Sequence, residues 1–437
     1  MFHVICFMLY EDMWYQKVTQ IFKVKELRNK ILFVLAILVI SRLAANIPVP
    51  GIDISKLRSF FEGNQLFGLL NIFTGGALSH LSVAMLGLGP YITAIIIMQL
   101  LTMIFPRLEA LYKEEGEAGR QRFEQYSRLL TVPLAALQAY SMIILLQNQG
   151  IISGMTLFNL ITTIIIVTAG TVFIMWLGEL ISEKGIGNGI SILIFAGIVA
   201  GFPAAISQTL VSWDPSKIPV YLAFIIVAVV VVTGVVIITE GRRNIPVSYA
   251  KRVRGNKMYG GVSTYLPLNI NPAGVIPIIF ALSIMLFPGM IGSFFADSSN
   301  HFVSVVATFL KNFSQETSLS YGIIYFIMVI LFTFFYTAVT FDPKSISENL
   351  QKMGGFIPGI RPGKTTADYL NFILNRVLLF GAVFLGIIAV MPYIMQSATG
   401  MQNLSIGGTS ILIVVSVVLE TVRQIESHLV MRDYEGF

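Results

Sequence analysis

Cysteine is almost missing from this chain of 437 residues, since Cys6 stands alone. One thiol closes no disulfide within the chain and builds no cysteine metal cage. Histidine is nearly as sparse: His3, His80, His301 and His428 lie far apart in the sequence, which argues against metal chemistry. Charge is short too, at 12% of residues against about 25% in soluble domains. Catalytic signatures are lacking as well. No HExxH, nucleophile–base pair or aspartate pair stands at membrane depth, so intramembrane proteolysis has no candidate machinery. What fills the chain is apolar, with 55% hydrophobic residues and a mean hydropathy of +0.78. These values describe a polytopic membrane protein and exclude a large soluble core. Residues 2–10 form an apolar run of nine, too short to span a bilayer. The run lacks a basic leader and a small-residue cleavage site, so no signal peptide is expected. Met13 is a second candidate start.

Ten apolar runs have the length that crosses a bilayer: 31–49, 81–105, 126–146, 157–181, 190–211, 220–239, 273–295, 321–341, 370–394 and 411–430. The basic residues between them are unevenly shared. One side collects Lys17, Lys23, Lys25, Arg28 and Lys30; Arg107, Lys113, Arg120 and Arg122; and Lys184. It also collects Arg242, Arg243, Lys251, Arg252, Arg254 and Lys257; Lys344, Lys352, Arg361 and Lys364; and Arg423 and Arg432. Those are 22 cations against four on the other side, Lys56, Arg58, Lys217 and Lys311. The positive-inside rule then predicts cytoplasmic N- and C-termini.

Ten spans divide as five and five. An odd half-count forces opposite orientations on the halves, the signature of an inverted repeat. The expected layout is a cytoplasmic N-terminus over 1–29, a first half over 30–211, a second half over 212–430 and a cytoplasmic tail over 431–437. Cytoplasmic loops are expected at 240–265 and 342–366. The fold class is therefore all-α, with ten transmembrane helices in two inverted, pseudo-symmetric halves that meet at a central seam. Span 2 follows the glycine-broken, half-polar stretch "NIFTGGALSH" and carries Gly87, Gly89 and Pro90. Its counterpart, span 7, carries Pro272, Gly274, Pro277, Pro288 and Gly289. Broken helices at matching positions mark a pathway between repeats, although glycine and proline are also common in ordinary membrane helices.

A solute transporter holds its substrate and coupling ion with polar groups at mid-depth. Such groups are scarce here. Arg42 is the clearest; Glu179, Glu240 and Glu420 lie toward span ends, and Arg376 stands in the first turns of span 9. The broken spans offer aliphatic pairs at one-turn spacing instead, Leu88 with Ile92 and Ile190 with Ile194. Residues four apart share a helix face. A constriction lined this way binds no ion and excludes water by dewetting. On these residues alone both a channel and a secondary transporter of a small solute stay open.

The motifs narrow the choice. "NIFTGGALSHLSVAMLGLGPYITAIIIMQLL", "MWLGELISEKGIGNGISILIFAGIVAG", "SYAKRVRGNKMYGGVSTYLPLNINPAGVIPIIF", "NLQKMGGFIPGIRPGKTTADYL" and "GGTSILIVVSVVLETV" resemble the bacterial SecY family. The resemblance runs in order from about residue 25 to about residue 430. "GIGNGIS" alone would be a weak nucleotide-loop match, because it follows a membrane span and has no P-loop lysine.

The resemblance implies the core channel of the general protein-secretion machinery, without catalytic activity, metal or cofactor. It implies a plug over 66–78, with Leu66, Phe67, Leu70, Asn71, Phe73, Thr74, Gly75 and Gly76. Glycines suit the hinge of a stopper that must leave its seat. It implies a pore ring of Leu88, Ile92, Ile190, Ile194, Ile279 and Ile413, and a lateral gate with Thr93, Gln138 and Asn271. Docking of the ribosome and the SecA motor ATPase is implied for Arg242, Arg243, Lys251, Arg252, Arg254, Lys257 and Arg361. SecE and SecG are implied as partner subunits, signal-bearing polypeptides as clients, and the bacterial inner membrane as the location. Three features depart from the pattern: the apolar first 16 residues, His80 where a basic residue is frequent, and a short tail after span 10.

Overall fold

The computed structural model describes residues 24–49, 77–78, 81–148, 156–211, 215–249, 252–254, 257–259, 263–295, 301–302, 304–307, 319–399 and 408–435. It is predominantly helical. The helices are α1 (Lys25–Asn46), α2 (Gly89–Ile104), α3 (Pro106–Lys113), α4 (Gly116–Asn148), α5 (Leu157–Lys184), α6 (Gly189–Val211) and α7 (Ile218–Glu240). They continue with α8 (Ile276–Phe295), α9 (Leu319–Thr340), α10 (Pro343–Lys352), α11 (Lys364–Thr399) and α12 (Gly408–Glu435). Among the described residues five helical stretches are long and apolar enough to cross a membrane. They are Gly116–Ile144, Leu157–Lys184, Ile218–Glu240, Tyr321–Lys352 and Lys364–Met391. The pair α2 and α3, bent by 115°, makes a sixth if it counts as one span.

Two differences from the hydropathy pattern have clear physical causes. Span 2 is not helical from residue 81. Residues 81–88 form successive turns, and the helix begins at Gly89. Leu81 and Gly87 hold positive φ values of 39° and 53°, which stop a helix from propagating. Hydropathy reports burial and not backbone conformation, so it runs through the break. The second difference is β-structure in the basic loops. Strand β1 (Arg242–Tyr249) pairs antiparallel with β4 (Ser263–Asn269), and β5 (Gly355–Phe356) joins β1 on its other edge. Strands β2 (Arg252–Arg254) and β3 (Lys257–Tyr259) form a small hairpin inside that excursion. Ile245 and Val247, two apart, are buried while Asn244 and Pro246 are exposed. That period of two is the strand signal.

The chain clusters into two compact units. One comprises Met1–Ile95, Gly116–Pro203 and Val417–Phe437. In it, α4 packs on α5, and α5 packs on α1. The end of α1 is tied to the turns before α2 by a short antiparallel bridge. Val49 N–H donates to Leu81 O and Val83 N–H to Ile47 O, both at 2.9 Å. Gly170 of α5 lies directly beneath Val83. A Cβ there would collide with the Val83 carbonyl oxygen. Leu78, Leu81, Met85, Ala139, Leu146 and Val167 fill the core around this seam.

The other unit comprises Ile96–Glu115 and Ala204–Ser416. Helix α9 lies between α8 and α11 in contact with both. Phe280 meets Phe332 and Tyr336 edge-on, with ring centroids 6.2 and 5.8 Å apart. Such geometry matches the aromatic quadrupoles. Gly386 admits the Phe326 ring, the small-residue contact expected between membrane helices, and Gly381 admits the backbone of Ile270 just after β4. The strands rest on their own apolar cluster, with Ile245, Val247, Leu268, Leu350, Ile357 and Leu370 buried.

The seam under Val83 predicts the effect of one methyl group. Gly170→Ala should destabilise the protein by roughly 1–3 kcal/mol, the usual cost of overpacking. Thermal unfolding in detergent checks this; an unchanged midpoint would contradict the close approach.

Candidate functional site

The candidate site begins where helices restart inside the apolar chain. Before α2, Met85 N–H bonds Ser82 O, Gly87 N–H bonds Ala84 O and Gly89 N–H bonds Leu86 O. Every turn therefore closes on its own carbonyls. The first full helical bond runs from Ile92 N–H to Leu88 O at 3.0 Å. Pro90 stands in the first turn, where its missing N–H costs nothing. Leu88 and Ile92 thus flank the restart on one face. Leu88 is buried and Ile92 half-buried.

The restart of α6 is built differently. Asn188 caps it, its side-chain oxygen accepting from Ile190 N–H at 3.1 Å and Ser191 N–H at 3.2 Å. Gly189 N–H donates to Ser182 Oγ at 2.9 Å, and the Gly189 Cα lies against the Gly178 carbonyl. Gly187 has φ 87°. "GIGNGIS" is therefore a helix crossing with a cap. It places Ile190 and Ile194 one turn apart, Ile190 beside Gly178.

These two restarts share a cavity. A space of about 40 Å³ is lined by Leu88, Gly87, Leu193 and Ile194, together with Ser41 and Arg42 of α1. Arg42, the clearest intramembrane charge in the sequence, lines the same cavity as two of the expected ring residues. Ile279 and Ile413 belong to the other unit. Ile279 lies in the first turn of α8 and is half-buried; Ile413 on α12 is fully buried.

Two of the three expected gate residues, Thr93 of α2 and Gln138 of α4, lie near Gly89. Thr93 Oγ donates to Gly89 O at 2.9 Å. Gln138 Oε1 of α4 stands 3.9 Å from where a Gly89 Cβ would be. Asn271 lies in the other unit, where its Nδ2 donates to Gly274 O at 3.0 Å in the turn before α8. Gly274 holds φ 62° there. Asn271 Oδ1 is buried and accepts no hydrogen bond within the described residues.

The expected plug residues Leu66, Phe67, Leu70, Asn71, Phe73, Thr74, Gly75 and Gly76 lie outside the described residues, as does Lys251. Arg242 and Arg243 are exposed at the start of β1, paired to Asn269 and Leu268. The backbones of Arg252, Arg254 and Lys257 form the β2–β3 hairpin, with Arg254 opposite Lys257. Arg361 is exposed on a constrained loop. Thr366 Oγ donates to Arg361 O at 2.8 Å and Ser347 Oγ to Gly363 O at 2.6 Å. Buried Ile357 anchors the loop from below.

One polar contact escapes a span-by-span reading. Arg128 of α4 pairs with Glu179 of α5, Nε to Oε1 at 2.5 Å. Each lies inside a stretch read as apolar, and a count of loop cations passes over Arg128. The signal was the presence of one opposite charge in each of two adjacent spans.

Comparison with known proteins places this geometry. The SecY family model matches residues 82–422. The chain is 45% identical to the protein translocase subunit SecY of Streptomyces coelicolor over 432 residues, covering 95% of this chain and 98% of that protein. It is 45% identical to the SecY subunit of Mycobacterium bovis over 434 residues, covering 94% and 97%. Among solved structures, a protein-conducting channel superposes with a TM-score of 0.62 at 21% identity, covering 90% of this chain and 91% of the other. A SecY channel described as closed and sealed by its plug domain gives 0.61 at 21% identity over 90% and 91%. Sec61 from the canine ribosome–channel complex gives 0.59 at 20% identity over 90% and 91%. With its helix restarts, apolar spans and this extent of sequence identity, the chain belongs to the SecY family of protein translocase subunits.

Proposed function

We propose that this chain is the conducting subunit of a protein translocase in a bacterial inner membrane, with ten spans in two inverted halves and both termini cytoplasmic. Unfolded polypeptides cross through a constriction formed by Leu88, Ile92, Ile190, Ile194, Ile279 and Ile413. The observation that carries this reading is the meeting of two helix restarts, with Leu88 and Ile194 on the wall of one small cavity. Aliphatic side chains offer no hydrogen bond, so they grip no sequence and repel ions by dewetting. The chain itself performs no bond-making step. Energy enters from SecA, from the translating ribosome or from the membrane potential.

A plug over 66–78 closes the resting channel in this reading, as the plug domain does in the related SecY structure. Thr93, Gln138 and Asn271 line a sideways exit for signal sequences and membrane segments. The balance of energies suits a gate. Interhelical hydrogen bonds in membranes average about 0.6 kcal/mol each. A signal core of about ten leucine-like residues gains roughly 3–6 kcal/mol on entering lipid. A few polar contacts therefore hold an empty gate and yield to a signal.

Arg242, Arg243, Lys251, Arg252, Arg254 and Lys257 form a basic excursion suited to ribosomal RNA. Ribosome-bound channels among the structural neighbours support that partner class. Arg361, on its pinned loop, serves SecA. SecE and SecG complete the channel.

The ring assignment is tested by hydration. Replacing Ile92 and Ile194 together by serine should make the resting channel leak ions in planar bilayers; unchanged conductance would contradict the assignment. Asn271→Leu removes the side chain that donates to Gly274 O, and should shift the signal hydrophobicity needed for transport. A graded series of signals checks this, and an unmoved threshold counts against the gate. Arg361→Glu should cut SecA-driven transport on the order of tenfold, because it reverses the charge that the pinned loop presents for docking. Equal rates in a SecA-dependent assay would remove Arg361 from docking.

A further inference from the structure

The pair Arg128–Glu179 is not used by the reading above, yet its surroundings connect two parts of it. Glu179 is the less exposed partner, at 19% against 40% for Arg128. Arg128 also reaches Glu124, one turn earlier on α4, at 3.8 Å. Tyr91, buried on α2, stands close enough to feel all three charges. One guanidinium thus joins α4 to α5 beside α2, the helix that carries Ile92 and Thr93 and follows directly on Leu88.

The last turns of α5 hold a second helix by different contacts. Gly178, next to Glu179, seats Ile190 and Leu193 of α6 against its bare Cα. Ser182 Oγ, one turn beyond Gly178, accepts from Gly189 N–H. The segment 178–182 therefore grips α4 with a charge and the first turn of α6 with a glycine and a hydroxyl. All of these residues belong to one unit.

We propose that Arg128–Glu179 is a clamp that keeps α4 on α5 and thereby sets the resting position of both the α4 side of the gate and the α6 side of the ring. Glu179 is a positioning residue, since it touches no client. This rests on the channel reading, in which α4 carries Gln138 and α6 carries Ile190 and Ile194. Releasing the clamp frees a gate helix and loosens the turn that presents the ring, so weak signals and ions should pass together. The two partners are not equivalent. Glu179→Gln leaves Arg128 with Glu124, whereas Arg128→Gln leaves two carboxylates facing each other and should perturb more.

The test uses membrane vesicles containing the complete channel complex. Two clients are compared, one with a weakly and one with a strongly hydrophobic signal, and resting ion leak is read in the same vesicles. Glu179→Gln should raise transport of the weak-signal client on the order of fivefold, the smallest ratio typical of coupled sites. The strong-signal client should be unchanged and the leak should rise. The swapped pair Arg128→Glu with Glu179→Arg should return both readouts toward the starting protein. If Glu179→Gln does not accumulate, the double variant Arg128→Gln with Glu179→Gln, which leaves neither partner charged, takes its place. An unchanged weak-to-strong ratio, a weak-signal gain without leak, an equal loss of both clients, or a swap that restores nothing overturns the clamp. Failure of the unaltered chain to carry any client would instead overturn the channel reading itself.

Discussion

Backbone amides cannot be left unpaired inside a bilayer, and this constraint shapes the helix breaks among the described residues. Where a helix stops at membrane depth, the freed groups must be satisfied within the protein. At residues 81–88 they close as turns and as a two-bond bridge to residues 47 and 49. At 185–189 they are met by Ser182, Asn188 and the carbonyl of Ile181. At 270–275 the Asn271 amide bonds Gly274 O, and Ile270 N–H bonds Gly241 O. Each break costs sequence freedom: a glycine where chains touch, a capping side chain where N–H groups start. Breaks are therefore kept where a membrane protein needs irregular backbone.

Those breaks lie immediately before the side chains assigned to conduction. Leu88 ends the first and Ile92 follows it; Ile190 and Ile194 follow the second, Ile279 the third. A restarted helix presents its first turns at a depth fixed by the cap and not by the bilayer surface. This is a way to hold aliphatic side chains at one level. Charge is confined correspondingly. Basic residues gather on strands and constrained loops outside the apolar spans, while Arg42 and Arg128 sit beside the restarted helices.

The membrane class, the apolar segments and the motifs of the SecY family were legible in the sequence, because hydropathy and long motifs survive without knowledge of packing. Helix starts were less so. Residues 81–88 are as apolar as a helix, and only the positive φ at Leu81 and Gly87 breaks them. The basic residues of the loops do not announce their strands; the alternation is carried by Ile245, Val247, Leu266 and Leu268. Gln138 of α4 approaches Gly89 of α2, a meeting that no spacing in the sequence announces. The partnership of Arg128 with Glu179 is likewise a product of how α4 lies on α5.

The central claim, that polypeptide passes along these aliphatic side chains, is tested most directly by crosslinking. A photoreactive residue replaces Ile92 or, separately, Ile413, and a stalled secretory chain is loaded with SecA, SecE and SecG present. Crosslinks from both positions to the mature part of that chain are predicted. A folded, loaded complex that gives none from either position would contradict a pore lined by these residues.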